Sequence, residues 1–217
     1  MMARSLSQIV ESQINKAIAE GQIGEVEMVT IVSRDPGAPP ADYVKRSGGI
    51  FRDMTIHDFD MARFLLGEEI ETVSAQASVL VDKAIGEAGD FDSASIMLAT
   101  ASGKHATISN SRRATYGYDQ RIEVLGSEGA LAVENIHQSR TTLANAGGFT
   151  RPPLLDFFMT RYSAAYAAEI APFVQVIESG GLPPTTGHDG LMALVLAEAA
   201  ARSVAEKRLV SISEVLP

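Results

Sequence analysis

The chain has 217 residues, 46% of them hydrophobic and 21% charged, which reads as ordinary globular protein long enough to bury a sizeable core. A formal net charge of −9 argues against a nucleic-acid or anionic-membrane partner, since both need a basic surface. The lack of cysteine excludes disulfides, thiolate metal sites, iron–sulfur clusters and a cysteine nucleophile, and fits a reducing cytoplasm.

Residues 5 to 20 carry Leu6, Ile9, Val10, Ile14, Ala17 and Ile18 at a three-and-four spacing that draws one apolar stripe on a helix. Gly21 and Gly24 follow as stop signals. This start has neither the apolar core nor the cleavage site of a signal peptide. No run approaches the ~18 apolar residues of a membrane span, so a soluble protein is expected. "EVEMVTIVS" reads as a strand and "RDPGAPPADYVKRSGG" as a loop dense in Pro and Gly. A second helix is expected from Thr55 to Leu66, with Gly67 as its C-terminal cap.

Beyond Gly67, "TVSAQASVLVD", "SASIMLATA", "HATISNSRR", "RIEVLG" and "ALAVEN" are short β-type runs. The links "SGK" and "SEG" are hairpin-length, so neighbouring strands should be antiparallel. "NAGGFTRPP" is the best candidate for a mobile loop. Two helices close the chain, the second with Asp189 as cap candidate, before a short strand in "LVSISEV". The pattern predicts an α+β fold, an open and mainly antiparallel sheet with helices on one face. Apolar residues on both alternations of the strands point to self-association through the uncovered face.

The stretch "SGGIFRDMTIHDFDMARFLLG" holds the most suggestive cluster: Asp53, His57, Asp58 and Asp60 in a chain with four histidines. Asp53 and His57 are four apart and would share a helix face, close enough to hydrogen-bond. A carboxylate on one imidazole nitrogen raises the basicity of the other, as a general base requires. Equally, Asp53 or Thr55 could merely cap a helix whose first turn favours acids. A metal is a weaker reading, because no second histidine lies three to five residues away.

"NSRRATYGYDQRIEVLG" would, as one strand, seat Tyr116, Tyr118 and Gln120 on one side and Gly117, Asp119 and Arg121 on the other. Its polar groups could bind a polyhydroxylated ligand, or form an amphipathic strand with an Asp119–Arg121 surface pair. In "RYSAAYAAE", Arg161, Tyr162, Tyr166 and Glu169 read as helix packing and surface charge. No G-x-G-x-x-G follows a strand, and neither a nucleotide P-loop nor a nucleophile elbow occurs.

In their order these segments resemble the C-terminal domain of the glucose–fructose oxidoreductase/inositol dehydrogenase/rhizopine-catabolism family of NAD(P)-dependent dehydrogenases. They look most like its myo-inositol 2-dehydrogenase branch. The resemblance covers nearly the whole chain, through "GQIGEVEMVTIVSRDP", the Asp53–His57 block, "YGYDQRIEVLGSEGAL", "RYSAAYAAE" and "GHDGLMALVLAEAARS". It implies a domain like the C-terminal one of dihydrodipicolinate reductase, spanning residues 1 to 217 and used for substrate binding and oligomerisation.

The resemblance also implies site residues. His57 would be the acid/base and Asp53 its partner; Tyr116, with Arg34 and Asp35, would border a polyol pocket. Assembly would be as dimers or tetramers through the sheet. Family members also carry a Rossmann domain with a glycine-rich turn and an E-K-P lysine, and neither is in this sequence. The chain starts about where that domain should end, as a truncated reading frame, a fragment or a stand-alone module would. NAD or NADP is therefore expected of the complete enzyme and not of this chain alone, and no metal is expected. The rival expectation is a non-catalytic polyol-binding or self-associating module.

Overall fold

The computed structural model describes residues 8–181, 183 and 185–217. Helix α1 (Gln8–Ala19) leads into strand β1 (Val26–Arg34). Ile14 and Ala17 of the expected stripe are buried, whereas Leu6 and the side chains of Ile9 and Val10 lie outside the described part. A short helix, α2 (Ala41–Ser47), interrupts the segment expected to be loop throughout. The Pro–Gly texture around it hid this one apolar turn, in which Val44 is buried.

The next helix starts earlier than expected and in two styles. Residues Phe51–Thr55 form a π-helical turn, continued by α3 (Ile56–Leu66). Such turns are rare and cluster at functional sites. Gly67 closes α3 in the left-handed conformation at φ 64°, its N–H bonded to the Arg63 carbonyl.

Strands β2 (Ile70–Ser78), β3 (Ser93–Thr100), β4 (His105–Ser111), β5 (Asp119–Gly126) and β6 (Gly129–Val133) follow, with a short helix α4 (Lys83–Glu87) between β2 and β3. "NAGGFTRPP" contributes to a hairpin, β7 (Leu143–Asn145) and β8 (Gly148–Thr150), where a mobile loop was expected. The Asn145 carboxamide oxygen accepts the Gly147 N–H at 2.8 Å and shapes the turn. Then come α5 (Phe158–Arg161), α6 (Ser163–Ser179), α7 (Gly187–Glu206) and β9 (Val210–Ser211). Thr186, not Asp189, is the N-cap of α7; Asp189 answers it from the third position in a capping box.

The seven-stranded sheet runs β6-β5-β1-β4-β3-β2-β9. Both hairpin links give antiparallel neighbours, β3 with β4 and β5 with β6. The longer connection between β4 and β5 leaves room for β1, which is parallel to β4 and antiparallel to β5. The α+β layer is thus as expected, with one parallel pair at its centre.

Helices α3 and α7 cover one face. Val29 and Ile31 of β1, Val73 of β2, Leu98 of β3, Ile108 of β4 and Val124 of β5 point into that core. Arg63 couples the two helices, pairing with Glu69 and lying 3.5 Å from Asp189. The other face is open, but it is less apolar than the alternation suggested. Met97 is 54% exposed there, among Thr30, Ser74, Gln76, Ser95, Thr107 and Ser109. The aliphatic residues mostly take the covered side.

Candidate functional site

Parallel strands β1 and β4 both end beside the π turn, so their last residues converge on the start of α3. Ligand sites in open sheets favour such strand ends. Asn110, buried at the end of β4, donates to the Asp58 carboxylate at 2.7 Å and accepts from the Thr55 hydroxyl at 2.7 Å. Arg112 follows, 1% exposed, and donates through both Nη atoms to Asp53 Oδ2 at 3.1 Å. The other Asp53 oxygen accepts from Tyr43 Oη at 2.6 Å.

His57 lies half-buried one turn on. Among the described residues no hydrogen bond joins it to Asp53, whose oxygens serve Arg112 and Tyr43 instead. The two are electrostatically linked all the same. Burial lowers the His57 pKa below its usual 6.5, and the charges of Asp53 and Asp60 oppose that shift.

Asp35 turns to this side of the sheet just past β1. Burial pushes its carboxyl up to about 6, against the pull of Arg112 and with the push of Asp53. Burial also raises Asp58 to about 7, although the Asn110 hydrogen bond opposes it; Asp35 adds to the rise. Asp35 and Asp53 share the field of the Arg112 guanidinium, and Asp58 lies beyond them beside Asn110, in a poorly solvated place. Protons are held there that water would strip away.

Tyr118 completes the wall. It is 9% exposed, and its ring meets Tyr162 edge-on with centroids 6.1 Å apart. Its hydroxyl pKa is raised by burial and by the nearby charges of Tyr162, Asp35 and Asp58. Arg161 ties the preceding α5 to β5 through the Gln120 carbonyl at 2.9 Å, so "RYSAAYAAE" brings Tyr162 to the site; the Glu169 side chain lies outside the described residues.

Tyr116 and Arg34 sit elsewhere. The Arg34 guanidinium donates to Tyr116 Oη at 3.0 Å, and Tyr116 donates to Asp119 at 2.6 Å. Both border a depression of about 490 Å³ on the open face, with Gln76, Ser95 and Ser109. Burial would raise Asp119, but hydrogen bonds from Arg121, Tyr116 and Asn135 outweigh it and bring the carboxyl to about 2. Tyr116 and Arg34 thus turn to the open face, where their hydrogen bonds run to one another and to Asp119. The physical reason is Gly117, at φ 119°, which breaks the alternation on which Tyr116 and Tyr118 share a side.

Of the expected residues, then, Asp35, Asp53 and His57 come together. Tyr43, Asp58, Asn110, Arg112, Tyr118 and Tyr162 join them. Asp58, Asn110, Arg112, Tyr118 and Tyr162 all fall in blocks that the sequence singled out, though not in these roles; nothing marked Tyr43. Among the described residues, no group of three or more His, Asp or Glu side chains is placed to hold a metal ion.

This architecture and these blocks occur in known proteins. The chain is 68% identical over 200 residues to the inositol 2-dehydrogenase of Rhizobium meliloti, covering 92% of itself and 61% of that protein. It is 48% identical over 204 residues to the myo-inositol 2-dehydrogenase of Thermotoga maritima, again with 94% and 61% covered. Its fold superposes with a TM-score of 0.84 on the scyllo-inositol dehydrogenase of Lactobacillus casei solved with NAD(H) and scyllo-inositol. That match has 26% identity and covers 93% of this chain and 61% of the other. The chain thus spans about three-fifths of the length of these relatives. A profile of the GFO/IDH/MocA C-terminal domain matches residues 12–132, the part that carries Asp35, Asp53, His57, Arg112 and Tyr118, and the chain belongs to that family.

Proposed function

We propose that this chain is the substrate-binding and acid–base domain of an NAD(P)-dependent oxidoreductase that oxidises a polyol or cyclitol, such as myo-inositol, at a ring hydroxyl. The observation that carries this reading is the half-buried His57 one turn on from Asp53, whose carboxylate Arg112 and Tyr43 hold in place; burial lowers the imidazole pKa and the charges of Asp53 and Asp60 oppose that shift. Family membership and the names of the relatives support the substrate class.

Oxidation of a secondary alcohol removes a hydride from carbon and a proton from oxygen. A nicotinamide supplies the hydride acceptor when bound. The proton needs a base at the hydroxyl, and His57, with its pKa lowered, is unprotonated at neutral pH and ready to take it. The imidazolium that forms is stabilised by the Asp53 charge, which Arg112 and Tyr43 keep from reorganising. Asp35, partly exposed just past β1, is an acceptor for a further ring hydroxyl, while the buried Asp58 and Tyr118 support the site from behind. The sequence holds no glycine-rich turn between strand and helix, so these residues do not fit the pyrophosphate of a dinucleotide. That role would fall to the part of the relatives' length that this chain does not span.

The open face, uncovered by any helix among the described residues, is where copies would join into dimers or tetramers. The cytoplasm is the compartment that suits this chemistry and the lack of cysteine. The decisive experiment is a chimaera with a family dinucleotide domain. His57→Ala should lower its kcat with myo-inositol by about 10²–10⁴. A rate within about threefold of the parent would end the assignment.

A further inference from the structure

We propose that Arg112 is a positioning residue for the acid–base pair, its buried guanidinium holding the Asp53 carboxylate beside His57 from the end of β4. This rests on the reading of His57 as the base. The geometry has two halves. On one side, Arg112 lies 3.7 Å from Asp90 Oδ2, and its own N–H donates to the Asp92 carbonyl at 2.8 Å. Asp90 in turn accepts the Ile50 N–H at 2.9 Å, just ahead of the π turn. The cation is thus seated on the same loop that fixes the start of Phe51–Thr55.

On the other side, both Nη donors converge on one oxygen of Asp53, and Tyr43 takes the other at 2.6 Å. A structural staple for the π turn would need only Asp90, which accepts the Ile50 N–H and lies within ion-pair distance of Arg112. The second attachment has a different effect. Asp53 retains 17% side-chain exposure, and the clamp leaves its carboxylate little freedom to swing towards water. A fixed charge acts on a neighbouring imidazole more strongly than a mobile, solvated one.

Several charged groups surround His57. Asp53, Asp58 and Asp60 lie on its own helical run, Asp35 past β1, Arg112 past β4, and Tyr43 on α2. Glu198 of α7 is engaged by Arg52, and Asp189 by Arg63. Of these, Asp53 and Asp60 act on the imidazole by raising its pKa. Arg112 therefore works on His57 through Asp53.

The test is a double-mutant cycle read at His57 itself, in the full chain, by titrating its imidazole Cε1–H resonance in NMR. Asp53→Asn should lower the His57 pKa. The same substitution made in Arg112→Met should lower it by about half as much or less, because the unclamped carboxylate no longer sits beside the ring. An equal or larger shift in the Arg112→Met background overturns the proposal, since a residue that only supports the fold would leave the Asp53 effect intact. If Arg112→Met does not fold, Arg112→Lys carries the same cycle. It keeps the charge and loses the planar pair of donors, so the Asp53 effect should again shrink, and an undiminished one refutes the clamp. The readout does not need turnover. A chimaera indifferent to His57→Ala would sink the base assignment and leave this cycle standing.

Discussion

Asp58 offers a sharp test of how the site holds its charge. It is 6% exposed, and its Oδ2 accepts from Asn110 Nδ2 at 2.7 Å. Burial raises its carboxyl from 3.8 to about 7. A folded-state value above the unfolded one means that the folded chain holds the proton more tightly. The associated stability is complete below about pH 3.8 and is lost as pH rises towards 7. That interval, at about 1.4 kcal/mol per pH unit, corresponds to about 4 kcal/mol. Asp58→Asn removes the charge and keeps an acceptor for Asn110. The stability of the wild type relative to this variant should therefore fall by about 4 kcal/mol between pH 4 and pH 8. Asp35, raised to about 6, shifts both proteins in the same sense and cancels to first order in the comparison. Urea unfolding followed by far-UV circular dichroism at pH 4, 6 and 8 measures the difference. A gap between the two proteins that stays constant across this range would refute the buried-charge account.

Three further expectations follow from other parts of the molecule. Phe59 is fully buried between sheet and helices, so Phe59→Ala should destabilise by about 3–5 kcal/mol in urea; a loss below about 1 kcal/mol would mean the core is not packed as described. Thr186→Ala removes the N-cap of α7 and should lower stability by about 1 kcal/mol, whereas Thr186→Ser should be close to neutral. The isolated chain should bind NAD and NADP no more tightly than about 1 mM in titration calorimetry, near 4 kcal/mol, and a micromolar constant would reveal a dinucleotide site outside the known motif.

How much of this could be read from the residues depends on the range of the interactions. Local rules were enough for the strand runs, for Gly67 as a helix cap and for the two hairpins, because those features are settled within a few residues. The cluster of Asp53 and His57 was also visible, since i and i+4 share a helix face and a π turn changes that only slightly. The family blocks added the expectation of an acid–base pair and of Asp35 near a substrate; the structure sets Asp35 near the charges of Arg112 and Asp53.

The remainder needed the chain to fold back on itself. Asp53 and Arg112 are 59 residues apart, and only the parallel pairing of β1 with β4 brings the end of β4 to the π turn. Sequence spacing therefore gave Asp53 the wrong hydrogen-bond partner. Tyr116 and Tyr118 were placed together by a strand alternation that Gly117 breaks, and the sheet then sorted them to opposite faces. The raised values of Asp35 and Asp58 arise from burial beneath helices and strands distant in sequence. The sequence alone determined which polar groups were available and where helices and strands would form. Only the tertiary structure decided which of those groups would face one another out of water, because desolvation and pairing of charge depend on contacts made across the whole chain.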